Sequence, residues 1–382
     1  MNDVTVLQLG IKNYPFEHAF SNNELKGLRG GGMNKYCSLL IKHLPNSVKT
    51  IIITQKLKGE KDYELINNAH VYRYRTFGNR AFRQIVINIC SLFFTYKLIK
   101  KHKINIIHGH MQIGILIGFI LGRIYNLKVV GTPYSFATQK KHFYFSKTAR
   151  FVESYFYKRI EKVVFETEEN KKKAKELRNL ILPNSMVINT GIPAPEKAFA
   201  NNPVSSRIHF FYVGRIVKIK AIDKLILSIL WLNDSLREKI KIDIIGEGEL
   251  VGPLRALVEE KKLTKVVKIH GFINDATKFY KNSDIFILPS DQEGLSISLL
   301  EAMSYGKACI VNNFGVPFTN KELFIMDNNE PETIANTIRY FLDHKELIYS
   351  FGKNARKRIK KDFSVQSFSD KYSNLYSQLT VE

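Results

Sequence analysis

The stretch Phe286-Ile-Leu-Pro-Ser-Asp-Gln-Glu293-Gly-Leu-Ser-Ile-Ser-Leu-Leu-Glu301-Ala-Met-Ser-Tyr-Gly306 decides the fold class. Its apolar start, with Ile285 before it, reads as a short strand buried on both faces, and Pro289-Ser290 end it. A loop carrying Glu293 and Gly294 follows, and a helix is predicted from about Leu295. A helix beginning there would present the backbone N–H groups of Gly294 and Leu295 to an anion or a sugar hydroxyl. Glu293 and Glu301 stand eight residues apart. Each carboxylate can accept two hydrogen bonds in a fork, which suits the vicinal hydroxyls of a ribose or a hexose.

The same alternation of short apolar runs with longer helical stretches extends outward from this point. In the second half the runs are 208–213, 241–245, 266–269, 285–288 and 308–311. In the first half they are 4–9, 49–54, 70–73, 104–108, 128–132, 163–166 and 186–189. Such a βαβ series predicts an α/β protein with doubly wound, mainly parallel sheets. The segment 191–207 holds Pro193, Pro195, Pro203, Asn201 and Asn202 and reads as a linker. Domains are therefore expected at 1–192 and 193–362. Helices are expected at 332–342 and at 363–379, where Phe368, Tyr372, Leu375 and Tyr376 fall at helical spacing.

Composition narrows the class. A chain of 382 residues with 45% hydrophobic content is long enough for two cores and too apolar for disorder. The formal charge of +23 suits a polyanionic partner: an anionic membrane surface, a nucleic acid or a phosphorylated substrate. The basic runs 140–141, 171–173 and 356–361 are dispersed and read as solvated helix faces. Cys37, Cys90 and Cys309 are far apart, so they read as small buried hydrophobes in a reducing compartment rather than as a disulfide or zinc set. The opening residues lack the features of a signal peptide. The apolar stretches 85–94 and 113–121 fall short of the ~20 residues of a spanning helix and read as buried core helices. A cytoplasmic protein is expected, or one peripheral to the inner face of the membrane.

Several further segments end on chemistry-bearing residues. Val213-Gly214-Arg215-Ile-Val-Lys-Ile-Lys220-Ala221 places two cations in a loop after a strand. Ile244-Ile-Gly246-Glu-Gly248 and Ile269-His270-Gly271-Phe272 are strand ends with glycine turns. Upstream, Gly30-Gly31-Gly32-Met33-Asn34 precedes a helical run at 35–44, Ile107-His108-Gly109-His110 ends a strand, and Thr132-Pro133-Tyr134 ends the next. Thr167 is placed to cap a helix whose first turn holds Asn170. Lys140 to Lys162, with Phe143, Tyr144, Phe145, Tyr155 and Tyr157, could form an interfacial patch or an inward-packing helix.

In order and spacing these segments resemble the retaining glycosyltransferases of family 4. The resemblance runs from Gly30 to the last helix. It implies the GT-B architecture: two Rossmann-like domains facing a cleft, with the C-terminal helix of 363–382 crossing back to the first. It further implies that Glu293 contacts the donor sugar and Glu301 the ribose, and that Arg215 and Lys220 hold the donor diphosphate. Two cations there would offset the charge on the departing phosphate. Gly214, Gly246, Gly248, Gly271, Phe272, Gly294 and Leu295 would surround the nucleotide. Gly31 and Gly32 would let the backbone approach a donor phosphate or the acceptor, and His110 would face or brace the reacting groups. The chain departs from the family at Ala221, where glycine is usual, and at Tyr134, where many members carry a histidine that contacts the sugar. Gly315-Val316-Pro317-Phe318 resembles the region after the helix of Glu301 but lacks the usual glutamate after the proline, and the segment that follows is shorter than is typical of the family.

The function implied is transfer of a hexose-type sugar, with retention, from a UDP- or GDP-linked donor to a hydroxyl of a glycan or lipid-linked acceptor. No metal, no cofactor and no nucleic-acid partner are expected. The alternatives are a catalytically inactive scaffold that binds membrane or nucleic acid through its basic surface, and a sugar-nucleotide epimerase.

Overall fold

The computed structural model describes residues 4–11, 14–15, 32–75, 92–134, 146–178, 180–197 and 207–381. Gly30, Gly31, Cys90, Phe143, Tyr144, Phe145, Asn201, Asn202 and Pro203 lie outside the described residues. The chain divides into two compact units: Met1–Gly191 together with Val365–Glu382, and Ile192–Ser364.

The first unit is built on a sheet of eight strands: β1 (Val4–Leu9), β2 (Val48–Gln55), β3 (Tyr63–Ile66), β4 (Ala69–Tyr74), β5 (Ile106–His110), β6 (Lys128–Thr132), β7 (Lys162–Phe165) and β8 (Ser185–Val187). Their order is β3-β4-β2-β1-β5-β6-β7-β8. All pairings are parallel except β3 with β4. β1 and β5 are buried along their whole length, as their apolar runs require. The apolar run ends at His108, yet β5 continues through Gly109 to His110, because both imidazoles are buried and partnered inside the sheet layer.

The second unit carries β9 (Ile208–Val213), β10 (Ile240–Ile245), β11 (Val267–Gly271), β12 (Ile285–Leu288), β13 (Ala308–Asn312) and β14 (Phe324–Met326). Their order is β11-β10-β9-β12-β13-β14, the Rossmann arrangement. Phe211 of β9 is in register with Phe286 of β12, and the rings meet edge to face at 5.3 Å.

Two helical expectations need correction, and one reading with two open alternatives proves mixed. The helix Met111–Tyr125 is not fully buried: Ile115 and Leu121 enter the core, whereas Ile113, Ile120 and Ile124 are exposed. The basic run at 356–361 is not wholly solvated. Arg356, on helix Glu346–Asp362, is buried and donates to the carbonyls of Ser304 and Glu196. Of the aromatic set read as a candidate interfacial patch, Tyr157 is buried in the core of the first unit. Tyr155, by contrast, is exposed. Among the described residues no helix is long and apolar enough to cross a membrane. Cys37 and Cys309 are buried free thiols.

The last helix, Val365–Val381, belongs to the first unit. Its Phe368 packs edge to face on Tyr36 of helix Gly32–His43 at 5.0 Å.

Candidate active site

In an open parallel sheet, ligands gather outside the strand C-termini where the strand order reverses. In the second unit that point lies between β9 and β12. The loop after β9 carries Arg215 and Lys220, and the loop after β12 carries Glu293. The structure brings the last two together. Lys220 Nζ donates to Glu293 Oε1 in an ion pair, and both side chains are nearly buried, with 11% and 12% exposure. Ser290 Oγ donates to the same carboxylate oxygen at 3.1 Å. The two loops are also tied by the backbone, Asp291 N to Ile219 O at 2.9 Å. Asn329 braces the second loop from behind, donating to Pro289 O at 2.6 Å and Asp291 Oδ1 at 2.8 Å. Arg215 is exposed, and Tyr212 Oη fixes its turn by donating to Arg215 O at 2.8 Å.

The helix after this loop begins later than expected. It spans Ile297–Ser304, and Ser296 Oγ caps it by accepting from Leu299 N. Gly294 and Leu295 therefore lie in the loop, not in the first helical turn. Glu301 sits in the second turn, half-buried, where its Oε2 accepts from Tyr280 Oη at 3.0 Å. Tyr280 itself is held between Phe211 and Tyr305.

The glycines expected to admit the nucleotide do a different job first. A Cβ on Gly246 would fall 1.7 Å from Gly214 O, and one on Gly248 would fall 2.1 Å from Ile216 O. The loop after β10 thus packs directly on the backbone that carries Arg215. Ile216 N donates to Glu247 O at 2.8 Å, and Gly246 N to Gly271 O at 2.8 Å, so three strand ends are stitched together. Gly214 leaves room for the Tyr212 hydroxyl, 2.6 Å from where its Cβ would stand. Ala221 adopts a left-handed conformation (φ 51°), which explains why a glycine suits that position. Gly271 also has positive φ (79°), and Phe272 beside it is half-buried. His270 is bonded to Asp243 through Nε2 at 2.7 Å and so serves the sheet edge.

In the first unit the strand order reverses between β1 and β5. His110 ends β5 there and is completely buried. Its Nε2 donates to Gln8 Oε1 at 2.7 Å, which leaves Nδ1 to accept from Tyr134 Oη at 2.9 Å. Burial pulls the imidazole down to about 3, so it stays neutral. In this structure His110 holds Tyr134, the bracing arrangement that the sequence reading allowed for it. Tyr134 also meets the Tyr36 ring edge to face at 5.2 Å and the Cys37 thiol at 3.6 Å. A second chain runs beside it, His108 to Tyr376 at 2.6 Å and to Thr132 at 2.8 Å, and Tyr36 to Tyr372 at 2.6 Å. Sequence reasoning does not single out Gln8, His108, Thr132, Tyr372 or Tyr376 for this role. The available signal is a polar residue inside an otherwise apolar buried strand. Gly32 is the first residue of helix Gly32–His43. The expected cap is present, with Asn170 N donating to Thr167 Oγ1 at 3.0 Å.

Glu166 follows β7 in the same region, buried, with Thr190 Oγ1 donating to it at 3.4 Å. Burial raises its carboxyl from 4.5 to about 8. The folded chain then keeps a proton that the unfolded chain releases above about pH 4.5, so stability declines as pH rises from there to about 8. Glu166→Gln is expected to remove this slope. Urea midpoints at pH 5 and pH 8 check it: the variant should gain on the wild type at pH 8, and an unchanged gap between the two pH values would contradict the assignment.

Comparison with known proteins bears on the family and the fold. The profile described as "Glycosyl transferases group 1" matches residues 194–358, and that described as "Glycosyltransferase Family 4" matches residues 30–196. A UDP-Gal:alpha-D-GlcNAc-diphosphoundecaprenol alpha-1,3-galactosyltransferase of Escherichia coli is 27% identical over 78% of this chain and 81% of its own length. An uncharacterized glycosyltransferase of Methanocaldococcus jannaschii is 26% identical over 91% of this chain and 95% of its own. Among solved structures, sucrose-phosphate synthase from Thermosynechococcus elongatus superposes with a TM-score of 0.81 at 16% identity, covering 99% of both chains. An Anabaena protein solved with UDP and glucose gives 0.75 at 15% identity, covering 98% of this chain and all of its own. With two Rossmann-type units, the reversal-point loops of Lys220 and Glu293, and both family profiles in chain order, this protein belongs to the group 1, family 4-like glycosyltransferases of GT-B fold.

Proposed function

We propose that the chain transfers a hexose from a UDP-linked donor to a sugar hydroxyl on a lipid-diphosphate or glycan acceptor, with retention, in cell-surface polysaccharide or glycolipid synthesis. The observation that carries this is the Lys220–Glu293 pair at the strand-order reversal of the second unit, with Arg215 exposed in the same loop. Lys220 and Arg215 would take the diphosphate, whose negative charge grows as the glycosidic bond breaks. Glu293, released from Lys220 by the incoming phosphate, would accept hydrogen bonds from the donor sugar. Glu301, held in place by Tyr280, would accept from the ribose hydroxyls. The departing phosphate oxygen would then remove the proton from the attacking hydroxyl on the same face of the sugar, which keeps the anomeric configuration. The UDP link and the lipid-diphosphate acceptor are supported by the name of the Escherichia coli relative.

Association with an anionic membrane surface is part of the same reading. Ile113, Ile120 and Ile124 on one helix and Phe151, Val152 and Tyr155 on the next are exposed apolar side chains, and Phe151 is 71% exposed. Arg123 lies over Phe119 at 5.7 Å and Arg159 over Tyr155 at 3.7 Å, so cations flank the apolar surface.

A thermal-shift screen against UDP, GDP, ADP and their sugar conjugates, with and without divalent metal, tests the donor assignment. A saturating nucleotide at 100 times its Kd should add about 2.7 kcal/mol to folding. UDP or a UDP-sugar should raise the Tm of the wild type and lose most of that effect in Glu301→Ala. A screen in which no nucleotide shifts the wild type overturns the reading.

A further inference from the structure

The strongest unexplained feature of the first unit is Asn34. It is the third residue of helix Gly32–His43, 0% exposed, and among the described residues neither its Nδ2 nor its Oδ1 has a hydrogen-bond partner. A buried amide left unpaired is costly, and native proteins rarely tolerate one without a reason. Its location supplies the reason. The helix follows β1, which together with β5 forms the reversal point of the first sheet. In the first turn of a helix the Cα–Cβ bond tilts toward the N-terminus. The amide therefore leans toward the start of the helix, at the end of the sheet where ligands of such folds bind.

The chemistry of the orphan selects the ligand. Asn34 offers a donor and an acceptor together, both unmet. A phosphate or carboxylate oxygen would satisfy Nδ2 and leave Oδ1 stranded. A hydroxyl satisfies either atom, and a pair of adjacent hydroxyls satisfies both. Tyr134, set against the next turn of the helix through Tyr36 and Cys37, supplies a second polar wall that His110 keeps in place.

We propose that Asn34 is a specificity-determining residue that reads a sugar hydroxyl of the acceptor, and that the ligand-free protein carries its unmet polar atoms as a cost of that role. This rests on the transferase reading above.

The test combines stability with kinetics in full-length Asn34→Leu and Asn34→Ala, the second guarding against overpacking by leucine. Without ligand, at least one variant should melt above the wild type, since removing both unmet atoms removes their desolvation cost. With UDP-galactose as donor and a GlcNAc-diphosphoryl lipid as acceptor, or the pair that the nucleotide screen establishes, acceptor KM should rise about tenfold or more. The Kd for UDP should stay within about twofold, since the Lys220 loop and the Glu301 helix are untouched. A rise in donor KM with acceptor KM unchanged would assign the hydroxyl to the donor sugar and overturn the acceptor assignment. Variants that melt at or below the wild type and keep both KM values overturn the proposal entirely. A wild type that transfers sugar between no pair of substrates sinks the transferase reading, and this one with it. A working wild type with indifferent variants sinks this one alone.

Discussion

Lys220→Ala is expected to lower turnover by about 10²–10³-fold, the range seen when one preorganised group that stabilises developing charge is removed. Two consequences separate this from a general loss of structure. Lys220 and Glu293 share one nearly buried hydrogen-bonded pair, so removing the ammonium takes away the positive partner and leaves Ser290 Oγ donating to the carboxylate. An uncompensated charge of this kind costs about 1–3 kcal/mol, and Tm should fall by about 2–4 °C for each of them. Adding Glu293→Gln to Lys220→Ala should restore the melting temperature without restoring turnover, because the charge problem is solved and the phosphate site is not. Lys218, exposed in the same loop, provides the control: Lys218→Ala should keep kcat within about twofold. Steady-state kcat and melting curves on the wild type and these three variants decide the matter. Wild-type turnover in Lys220→Ala would remove this lysine from the mechanism.

Gly246→Ala should have the largest effect on stability. Its backbone sits at φ 151° and its Cβ would stand 1.7 Å from Gly214 O, a backbone atom in a loop held by three strand ends. Backbone strain of this kind costs about 1–3 kcal/mol before the clash is counted. The total should lower Tm on the order of 10 °C. Because the displaced segment carries Arg215, turnover should fall even at temperatures where the variant is folded. Gly252 offers the contrast. It is exposed in the first turn of helix Val251–Glu260, and a methyl added there would meet nothing within 4 Å beyond its chain neighbours, so Gly252→Ala should change stability by no more than about 0.5 kcal/mol. A Gly246→Ala protein that melts with the wild type would show that the loop after β10 is not seated on the Gly214 backbone.

These expectations depend on contacts that the sequence reveals unevenly. Runs such as Val4–Leu9, Lys128–Thr132, Ile208–Val213 and Ile285–Leu288 occur as strands at those residues, because burial on both faces keeps them mainly apolar, with polar residues such as Gln8 and His209 few enough to leave the run legible. β3 and β14 are not foreseen. Tyr63–Ile66 is a partly exposed edge strand, and Phe324–Met326 is only three residues long. Ser296 is hidden as a cap because Leu295 already fits the apolar period. In the candidate site, the residue types of Arg215, Lys220, Glu293 and Glu301 are legible from motif order. That Lys220 and Glu293 meet is not. They are 73 residues apart, and only the β9–β12 adjacency brings their loops together. The glycines read as points of conformational freedom, whereas the structure uses their missing Cβ to seat one loop on another. Asn34 gives no signal at all, since an unmet hydrogen bond is a property of surroundings that no local pattern encodes.

The membership of Val365–Val381 in the first unit has a consequence for synthesis. A ribosome adds about 5–20 residues per second, so Gly191 emerges many seconds before Tyr372 and Tyr376. The second unit, contiguous from Ile192 to Ser364, can fold as it appears. The first must wait. Until the final helix arrives, Tyr36 and His108 lack the hydroxyl partners that close their buried chain, and Phe368 has not yet covered the Tyr36 ring. The nascent protein thus completes this helix and the earlier-made unit in one event, and a chain stalled before Val365 would expose an unfinished core.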